Sequence, residues 1–158
     1  MAKQAYRVLL ADDHTILREG LRALLDAAPE IMVIGEAADG HEAVHMTNQL
    51  SPDVVLIDLS MPRMNGTEAI ELIRKRNPNI RIIALTVHRT EEYVRATLDA
   101  GANGYVLKDD TRNELISSIA AVMQGKTYLS PSICAQLVNG YLEPHSLNSH
   151  STSWDALT

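Results

Sequence analysis

The chain has 158 residues, enough for one domain with a sizeable core and too few for two large ones. Its formal charge is −6, from 14 basic and 20 acidic residues, which argues against a sequence-independent nucleic-acid surface because phosphate binding needs clustered Lys and Arg. The single cysteine, Cys134, excludes an internal disulfide framework and favours a reducing, cytoplasmic location. We expect no membrane anchor, because no run approaches the ~20 apolar residues of a membrane helix.

Apolar runs and amphipathic segments alternate five times along the first 124 residues. Buried strands are predicted at 8–11, 32–38, 54–58, 80–85 and 104–107. Helices are predicted at 14–28, 41–50, 67–77, 90–101 and 111–124, and a sixth begins at Pro131. This alternation predicts right-handed βαβ crossovers and a parallel sheet with helices on both faces.

Polar side chains follow the carboxyl ends of four predicted strands. Asp12 and Asp13 follow the first strand and Asp58 ends the third, while Thr86 and Lys108 follow the fourth and fifth. In a sheet of order 2-1-3-4-5 the first and third strands are neighbours at the reversal point, where ligands bind. Three carboxylates would then converge, and their mutual repulsion calls for a bound cation or a shifted pKa. Mg²⁺ suits such a set of oxygen ligands.

Lys108 and Thr86 complete a set that suits phosphoryl chemistry. An ammonium and a hydroxyl can hold the oxygens of a transferred group, and a carboxylate such as Asp58 can be the nucleophile that forms an aspartyl phosphate. Each residue alone has a simpler interpretation: Asp12 or Asp13 could cap the following helix, Thr86 could cap the fourth helix or merely end its strand, and Lys108 could be a solvated surface lysine. Their joint occurrence at matching strand ends favours the site.

These motifs resemble the receiver domain of bacterial response regulators over about residues 6–125. The resemblance rests on 10–14, 58–66, 85–86 and 104–108, which read LADDH, DLSMPRMNG, LT and GYVLK. It implies a flavodoxin-like (βα)5 three-layer sandwich with sheet order 2-1-3-4-5. It also implies that Asp58 accepts a phosphoryl group from a sensor histidine kinase, and that Mg²⁺ or Mn²⁺ is held by Asp12, Asp13, Asp58 and the backbone carbonyl of Ser60.

The same resemblance implies a switch and a lifetime for the phosphorylated state. Thr86 and Lys108 would meet the phosphoryl group, and Tyr105 would then turn inward. Ser60 and His88 would flank the path of the hydrolysing water and modulate the lifetime. The chain is therefore interpreted as a signalling phosphoacceptor, with at most slow self-catalysed phosphorylation and dephosphorylation, and not as an enzyme.

The wording of 12–14, 101–105 and 108–109 is similar to the NarL/FixJ (LuxR-type) branch of transcription factors, in which a DNA-binding helix-turn-helix domain follows the receiver. The predicted organisation is a receiver at 1–127, a linker helix at 128–142, a flexible linker at 143–153 and the start of a missing helix-turn-helix domain at 154–158. DNA would be bound only through that missing domain. The wide apolar face of the fifth helix predicts a weak homodimer.

Three other interpretations compete with this one. The run His41–His45 matches the zinc-protease motif H-E-x-x-H, but the extended motif wants glycine and histidine where this chain has Asn48 and Ser51. A Mg²⁺-dependent phosphohydrolase with an aspartyl-phosphate intermediate, as in haloacid dehalogenases, wants an acid two residues after Asp58, where this chain has Ser60. A pseudo-receiver that serves only for dimerisation is disfavoured because all the site residues are present.

Overall fold

The structure is a computed structural model that describes residues 5–142. Its strands are β1 Tyr6–Ala11, β2 Ile31–Ala37, β3 Val54–Asp58, β4 Arg81–Thr86, β5 Gly104–Leu107 and β6 Tyr128–Leu129. Its helices are α1 Thr15–Asp26, α2 Gly40–Leu50, α3 Gly66–Arg76, α4 Glu91–Ala100, α5 Thr111–Met123 and α6 Pro131–Leu142, with a 3-10 turn at Lys108–Asp110. All five predicted strands and all six predicted helices are present, with ends that differ from the predictions by one or two residues.

The sheet has the order β2-β1-β3-β4-β5-β6. Strands β1 to β5 pair in parallel, with Leu10 opposite Leu56 and Leu56 opposite Ile83. The predicted flavodoxin-like fold and the order 2-1-3-4-5 are confirmed. The sixth strand was not predicted, because two residues are too short to show a period; the backbone N–H of Tyr128 donates to the carbonyl of Asn103 at 3.0 Å.

The strands are apolar throughout because both faces of the sheet are covered. All five residues of β3 are buried, as expected for a central strand of a parallel sheet. On one face, alternate residues of β1, β3, β4 and β5 form a core cluster with buried residues of α1 and α5, including Leu21, Leu25, Leu115, Ile119 and Val122. The intervening strand residues point to the opposite face and are equally buried.

Polar caps begin three of the helices at the carboxyl side of the sheet. The side chains of Asp39, Asn65 and Thr90 each accept a hydrogen bond from the backbone N–H three residues further on. Each bond satisfies a donor that the helix cannot pair internally. By contrast, His14 begins α1 with extended backbone angles and no side-chain capping hydrogen bond.

Arg74, near the end of α3, holds together the amino ends of β4 and β5. Its guanidinium donates to the carbonyls of Ile80 at 2.6 Å and Gly101 at 3.0 Å, and to Oδ1 of Asn103 at 2.7 Å. The same Asn103 oxygen accepts the backbone N–H of Ile82 at 2.9 Å. Gly101 has φ 122°, and a Cβ there would lie 2.7 Å from the Arg74 side chain, so this close approach requires glycine.

The chain divides between Tyr128 and Leu129 into two units. In the second unit, Ser130 and Pro131 start α6, which falls within the range predicted for a linker helix; its role as a linker stays a prediction. The predicted flexible linker at 143–153 and the predicted start of a further domain at 154–158 lie outside the described residues. Within residues 5–142, every helix is too short or too polar to cross a bilayer.

Candidate functional site

The sheet brings the predicted acids to one edge. Ala11 at the end of β1 lies opposite Ile57 of β3, so the next residues, Asp12 and Asp58, lie side by side at the carboxyl edge of the sheet. The backbone N–H of Asp12 donates to the carbonyl of Ala37 at 3.0 Å, which extends the β1–β2 ladder to this acid. Both aspartate positions are therefore fixed by backbone pairing.

Four side chains converge there. One ligand atom from each of Asp12, Asp13, His14 and Asp58 can be chosen so that all four atoms lie within 4.8 Å of one another. Asp12 and Asp58 are fully buried, and Asp13 is 25% exposed. Among the described residues, three buried oxygens accept no hydrogen bond: Oδ2 of Asp12, Oδ1 of Asp13 and Oδ2 of Asp58. Buried acceptors without a partner are uncommon, and a bound cation would satisfy all three.

The charges in this cluster are unbalanced. Lys108, in the turn after β5, places its Nζ 3.0 Å from Oδ2 of Asp58, so one ammonium faces three carboxylates. Burial raises the pKa of Asp12, and the neighbouring Asp58 carboxylate raises it further; the backbone N–H of His14, which donates to Asp12 Oδ1 at 2.8 Å, lowers it. The residues present thus fit a divalent oxygen-ligated ion such as Mg²⁺.

The loop after Asp58 folds back on the acid. The backbone N–H of Ser60 donates to Oδ1 of Asp58 at 3.0 Å, and the N–H of Gly66 donates to the carbonyl of Leu59 at 3.3 Å. A Cβ on Gly66 would lie 2.6 Å from the Leu59 Cα and 2.7 Å from the Asp58 carbonyl oxygen. Glycine is therefore needed because only a hydrogen fits against this loop. Ser60 lies exposed at the rim of the cluster.

Thr86, His88 and Tyr105 form a second group, at the ends of β4 and β5. Thr86 is buried and its Oγ1 accepts the backbone N–H of His88 at 3.0 Å. The Tyr105 hydroxyl donates to the carbonyl of His88 at 2.8 Å. Burial raises the pKa of Tyr105, while its side-chain hydrogen bond with Thr86 lowers it. Tyr105 is already fully buried in this structure, which is the inward position predicted from the sequence only after phosphorylation; the response of the ring to phosphorylation stays a prediction.

One contact of this region was not predicted from the sequence. The His88 ring stacks on the Tyr93 ring of α4, with centroids 3.9 Å apart and planes 9° from parallel, so the imidazole is held against the first turn of that helix. A residue two positions beyond a strand carries no signal for such a pairing. The proposed effect of His88 on phosphoryl lifetime stays a prediction.

Arg18 of α1, near the acidic cluster, was not predicted as part of the site either. Its guanidinium donates to the backbone carbonyl of Asp12 and pairs with Glu36 of β2, Nε to Oε1, at 3.0 Å. Arg22 donates to the other oxygen of Glu36 at 2.8 Å. The sequence did contain one indication of this contact: Arg18 lies four residues after His14, which places the two on the same side of α1, near the acids.

The zinc-protease interpretation finds no support. His41, Glu42 and His45 are exposed on α2 and stand apart from the acidic cluster. Within residues 5–142, the one group of three or more metal-ligating side chains is the cluster of Asp12, Asp13, His14 and Asp58.

Known proteins resemble this chain in sequence. The family model of the response regulator receiver domain matches residues 8–120. The chain is 42% identical over 139 residues to the uncharacterized transcriptional regulatory protein YxjL of Bacillus subtilis, covering 88% of this chain and 64% of that protein. It is 38% identical over 126 residues to the nitrate/nitrite response regulator NarL of Escherichia coli, covering 80% and 58%. The chain thus spans less than two thirds of the length of these relatives.

Solved structures agree. A two-component response regulator of the LuxR family from Aurantimonas sp. SI85-9A1 aligns with a TM-score of 0.84 and 36% identity, over 89% of this chain and all of that one. The isolated receiver domain of RcsB from Salmonella enterica, in the presence of the phosphomimetic BeF3−, aligns with a TM-score of 0.77 and 30% identity, over 84% of this chain and 98% of that one. The chain belongs to the response regulator receiver domain family, in its LuxR-type branch.

Proposed function

We propose that Asp58 is the phosphoacceptor of a two-component signalling system and takes its phosphoryl group from a sensor histidine kinase. The observation that carries the proposal is the state of Asp58 Oδ2. This oxygen is buried and accepts no hydrogen bond among the described residues, yet it lies 3.0 Å from Nζ of Lys108 and beside two further carboxylates. A carboxylate can act as the nucleophile, and the Lys108 ammonium beside it can hold the oxygens of the incoming phosphoryl group.

The transfer is a single displacement at phosphorus. An oxygen of Asp58 forms the new bond to phosphorus, the phosphorus–nitrogen bond of the donor phosphohistidine breaks, and the leaving nitrogen keeps the electron pair. Lys108 and the Thr86 hydroxyl hold the phosphoryl oxygens. Mg²⁺ or Mn²⁺, held by Asp12, Asp13, Asp58 and the Ser60 carbonyl, would supply the positive charge that the transferred group needs.

The switch would begin at Thr86. Phosphorylation adds about −1.5 to −2 charges, and a Thr86 hydroxyl that turns to meet them gives up its hydrogen bond from the His88 N–H. Because the His88 carbonyl is also the acceptor for Tyr105, this change reaches the loop before α4 and the buried ring together. The output surface would therefore lie around that loop and the face of β4 and β5.

The output of the whole protein would lie outside residues 5–142. We place DNA binding in a further domain, as in the LuxR-type branch, and the domain described here in the cytoplasm. A weak homodimer through α5 stays a prediction, with a smaller surface than the sequence suggested: Leu115, Ile119 and Val122 are buried, and Ile116 and Met123 pack partly against the core.

Turnover would be slow. The position two residues after Asp58, where a haloacid dehalogenase carries its general acid, is Ser60, so this chain lacks the group that would speed hydrolysis. Ser60 and His88 would set the lifetime of the acyl phosphate by shaping the path of water. This chemistry suits a timed switch better than an enzyme.

Intact-mass measurement tests the proposal. The chain incubated with Mg²⁺ and acetyl phosphate is expected to gain one phosphoryl group, and Asp58→Asn is expected to abolish the gain because an amide is not a nucleophile. Asp109→Asn is the matched control, since Asp109 is 84% exposed and lies outside the carboxylate cluster. The proposal fails if Asp58→Asn is labelled as fast as the unchanged chain, or if labelling proceeds equally with divalent ions chelated.

A further inference from the structure

We propose that His14 is a nitrogen ligand in the carboxylate cluster, so that this site binds first-row transition-metal ions more tightly than its oxygen ligands alone would allow. The inference rests on the proposed function, because it concerns the ion that the phosphoacceptor site would hold. It adds a ligand that the resemblance to receiver domains did not include.

The distances around His14 are close to those of neighbouring ligands on one ion. Its Nδ1 lies 3.3 Å from Asp13 Oδ1 and 3.6 Å from Asp12 Oδ1. Both distances exceed the roughly 2.7–3.2 Å of an N–H···O hydrogen bond. With metal–ligand bonds of about 2.1 Å, adjacent ligands are about 3.0 Å apart in an octahedron and about 3.4 Å apart in a tetrahedron. The separation between His14 Nδ1 and Asp13 Oδ1 falls between these two values, and the separation from Asp12 Oδ1 is slightly longer than either.

Independent evidence that a cation belongs here comes from the buried oxygens. Asp12 is fully buried, and within the described part of the chain its Oδ2 accepts no hydrogen bond, whereas Oδ2 of Asp58 already has the Lys108 ammonium 3.0 Å away. Asp12 is the clearer case, because its other oxygen is already used by the backbone N–H of His14. A single ion contacting these oxygens would lie within reach of the imidazole, since the four ligand atoms are within 4.8 Å of one another.

The backbone holds His14 on both sides and leaves its side chain to the cluster. Its N–H donates to Asp12 Oδ1 at 2.8 Å, and its carbonyl accepts the N–H of Arg18 at 2.8 Å as the first bond of α1. A serine, threonine, asparagine or aspartate here would cap the helix, whereas the His14 side chain makes no capping bond. The imidazole can thus serve a ligand without disturbing the fold.

Ligand chemistry then predicts a change of selectivity. Mg²⁺ takes oxygen ligands and keeps several waters, so an imidazole adds little to its binding. Co²⁺, Ni²⁺ and Zn²⁺ bind imidazole well, and affinity rises along the first-row series for a given site. Removing the imidazole should weaken Co²⁺ binding while it leaves Mg²⁺ binding nearly unchanged.

A second histidine pair must be separated from this site. His41 and His45 are exposed and lie four residues apart on α2, a spacing that lets two imidazoles share one ion. The double variant His41→Gln/His45→Gln removes that pair and serves as the background for the test. Competition with excess Mg²⁺ then identifies the Co²⁺ bound at the carboxylates, because a surface imidazole does not bind Mg²⁺ appreciably.

The experiment titrates Co²⁺ into the background variant, with and without Mg²⁺, by calorimetry and by visible absorption, and repeats the titration after His14→Gln. Loss of an outer-shell partner alone typically costs about 10–100-fold in metal affinity, so loss of a ligand should weaken the Mg²⁺-displaceable Co²⁺ by at least about tenfold. The absorption band of the bound Co²⁺ should shift as nitrogen is replaced by oxygen. Mg²⁺ affinity should stay within about a factor of two.

Each other outcome overturns the inference. Equal losses for Co²⁺ and Mg²⁺ would mean that His14 acts through the shape of the loop, and no loss for either would mean that it is not a ligand. In both cases the proposed function survives, provided that acetyl phosphate still labels Asp58. If Mg²⁺ displaces no Co²⁺ even before His14→Gln, the carboxylates hold no divalent ion, and the proposed metal site fails as well.

Discussion

Asp12→Asn should make the metal-free domain more stable. The Asp12 carboxylate has ligand oxygens of Asp13 and Asp58 within 4.8 Å, and two like charges at that distance repel by roughly 3.5 kcal/mol at an effective dielectric of 20. Attraction to Lys108 offsets about one of the two repulsions, and partial exposure of Asp13 screens the other. The charged hydrogen bond from the His14 N–H is also weakened, so we expect a net gain of about 1–3 kcal/mol in the free energy of unfolding.

The stability gained by Asp12→Asn should depend on pH, and the direction of the pKa shift of Asp12 determines whether the gain grows or shrinks as the pH rises. Burial and the Asp58 charge raise the pKa of Asp12 above its ordinary value of 3.8. Below pH 3.8 the Asp12 carboxyl is protonated in both the folded and the unfolded state, so it does not reduce the free energy of unfolding. As the pH rises, the carboxyl ionises first in the unfolded chain, and the free energy of unfolding falls until the pH exceeds the raised pKa of the folded state. Urea titrations with divalent ions chelated should therefore separate the two proteins at pH 7 and bring them together below pH 3.8.

Asp39→Ala is the control, because it should lower the free energy of unfolding at pH 7 where Asp12→Asn should raise it. The backbone N–H of Glu42 and the Arg63 side chain lower the pKa of Asp39, so its charge stabilises the fold above 3.8, and that stability is lost as pH falls through the lowered pKa. Loss of this helix cap should cost about 1 kcal/mol at pH 7. The reasoning about Asp12 is refuted if Asp12→Asn lowers stability at pH 7 without metal, or if saturating Mg²⁺ does not reduce its advantage.

Gly66→Ala should destabilise the domain by more than about 2 kcal/mol, since its Cβ would meet the Leu59 backbone and the core cannot give way there. Gly20→Ala, on an open face of α1, should instead stabilise the domain by about 0.5–1 kcal/mol. Urea titrations in which both substitutions change the free energy of unfolding in the same direction would contradict this expectation. His88→Ala should change the decay rate of the phosphorylated protein, followed by intact mass, more than its thermal midpoint, because the ring contacts Tyr93 only at the edge of α4; an unchanged decay rate would leave His88 a structural residue.

The positions of Asp12, Asp58, Thr86 and Lys108 could be predicted because each ends or directly follows an apolar strand. Parallel strands place their carboxyl ends at one edge, so order along the chain becomes proximity in space. The pairing of Arg18 with the Asp12 carbonyl could not be predicted in this way. It depends on Glu36, 18 residues further on and on another strand, which only the finished fold brings beside α1.

The apolar face of α5 shows a different limit of sequence reasoning. Its width was attributed in part to a partner, but Leu115, Ile119 and Val122 are consumed by the core cluster and Ile116 packs against it. A period of 3.6 residues indicates which side of a helix is apolar, and it cannot say how far the neighbouring helix and sheet wrap around that side. The burial of Tyr105 in the unphosphorylated chain could not be predicted for a similar reason. The sequence places Tyr105 in a strand but does not show how closely the neighbouring elements cover its ring.

The hydrogen bonds of Arg74 make the sheet mechanically asymmetric. They join the amino ends of β4 and β5, at the edge of the sheet opposite Asp58, and leave the carboxyl ends without such a connection from Arg74. Because these hydrogen bonds hold the amino ends of the two strands together, we expect a displacement that begins at Thr86 or Lys108 to be absorbed mainly by the loops at the carboxyl ends. We therefore expect a signal from the proposed phosphoacceptor site to travel along that edge of the molecule, from loop to loop, and not through the sheet to its far side.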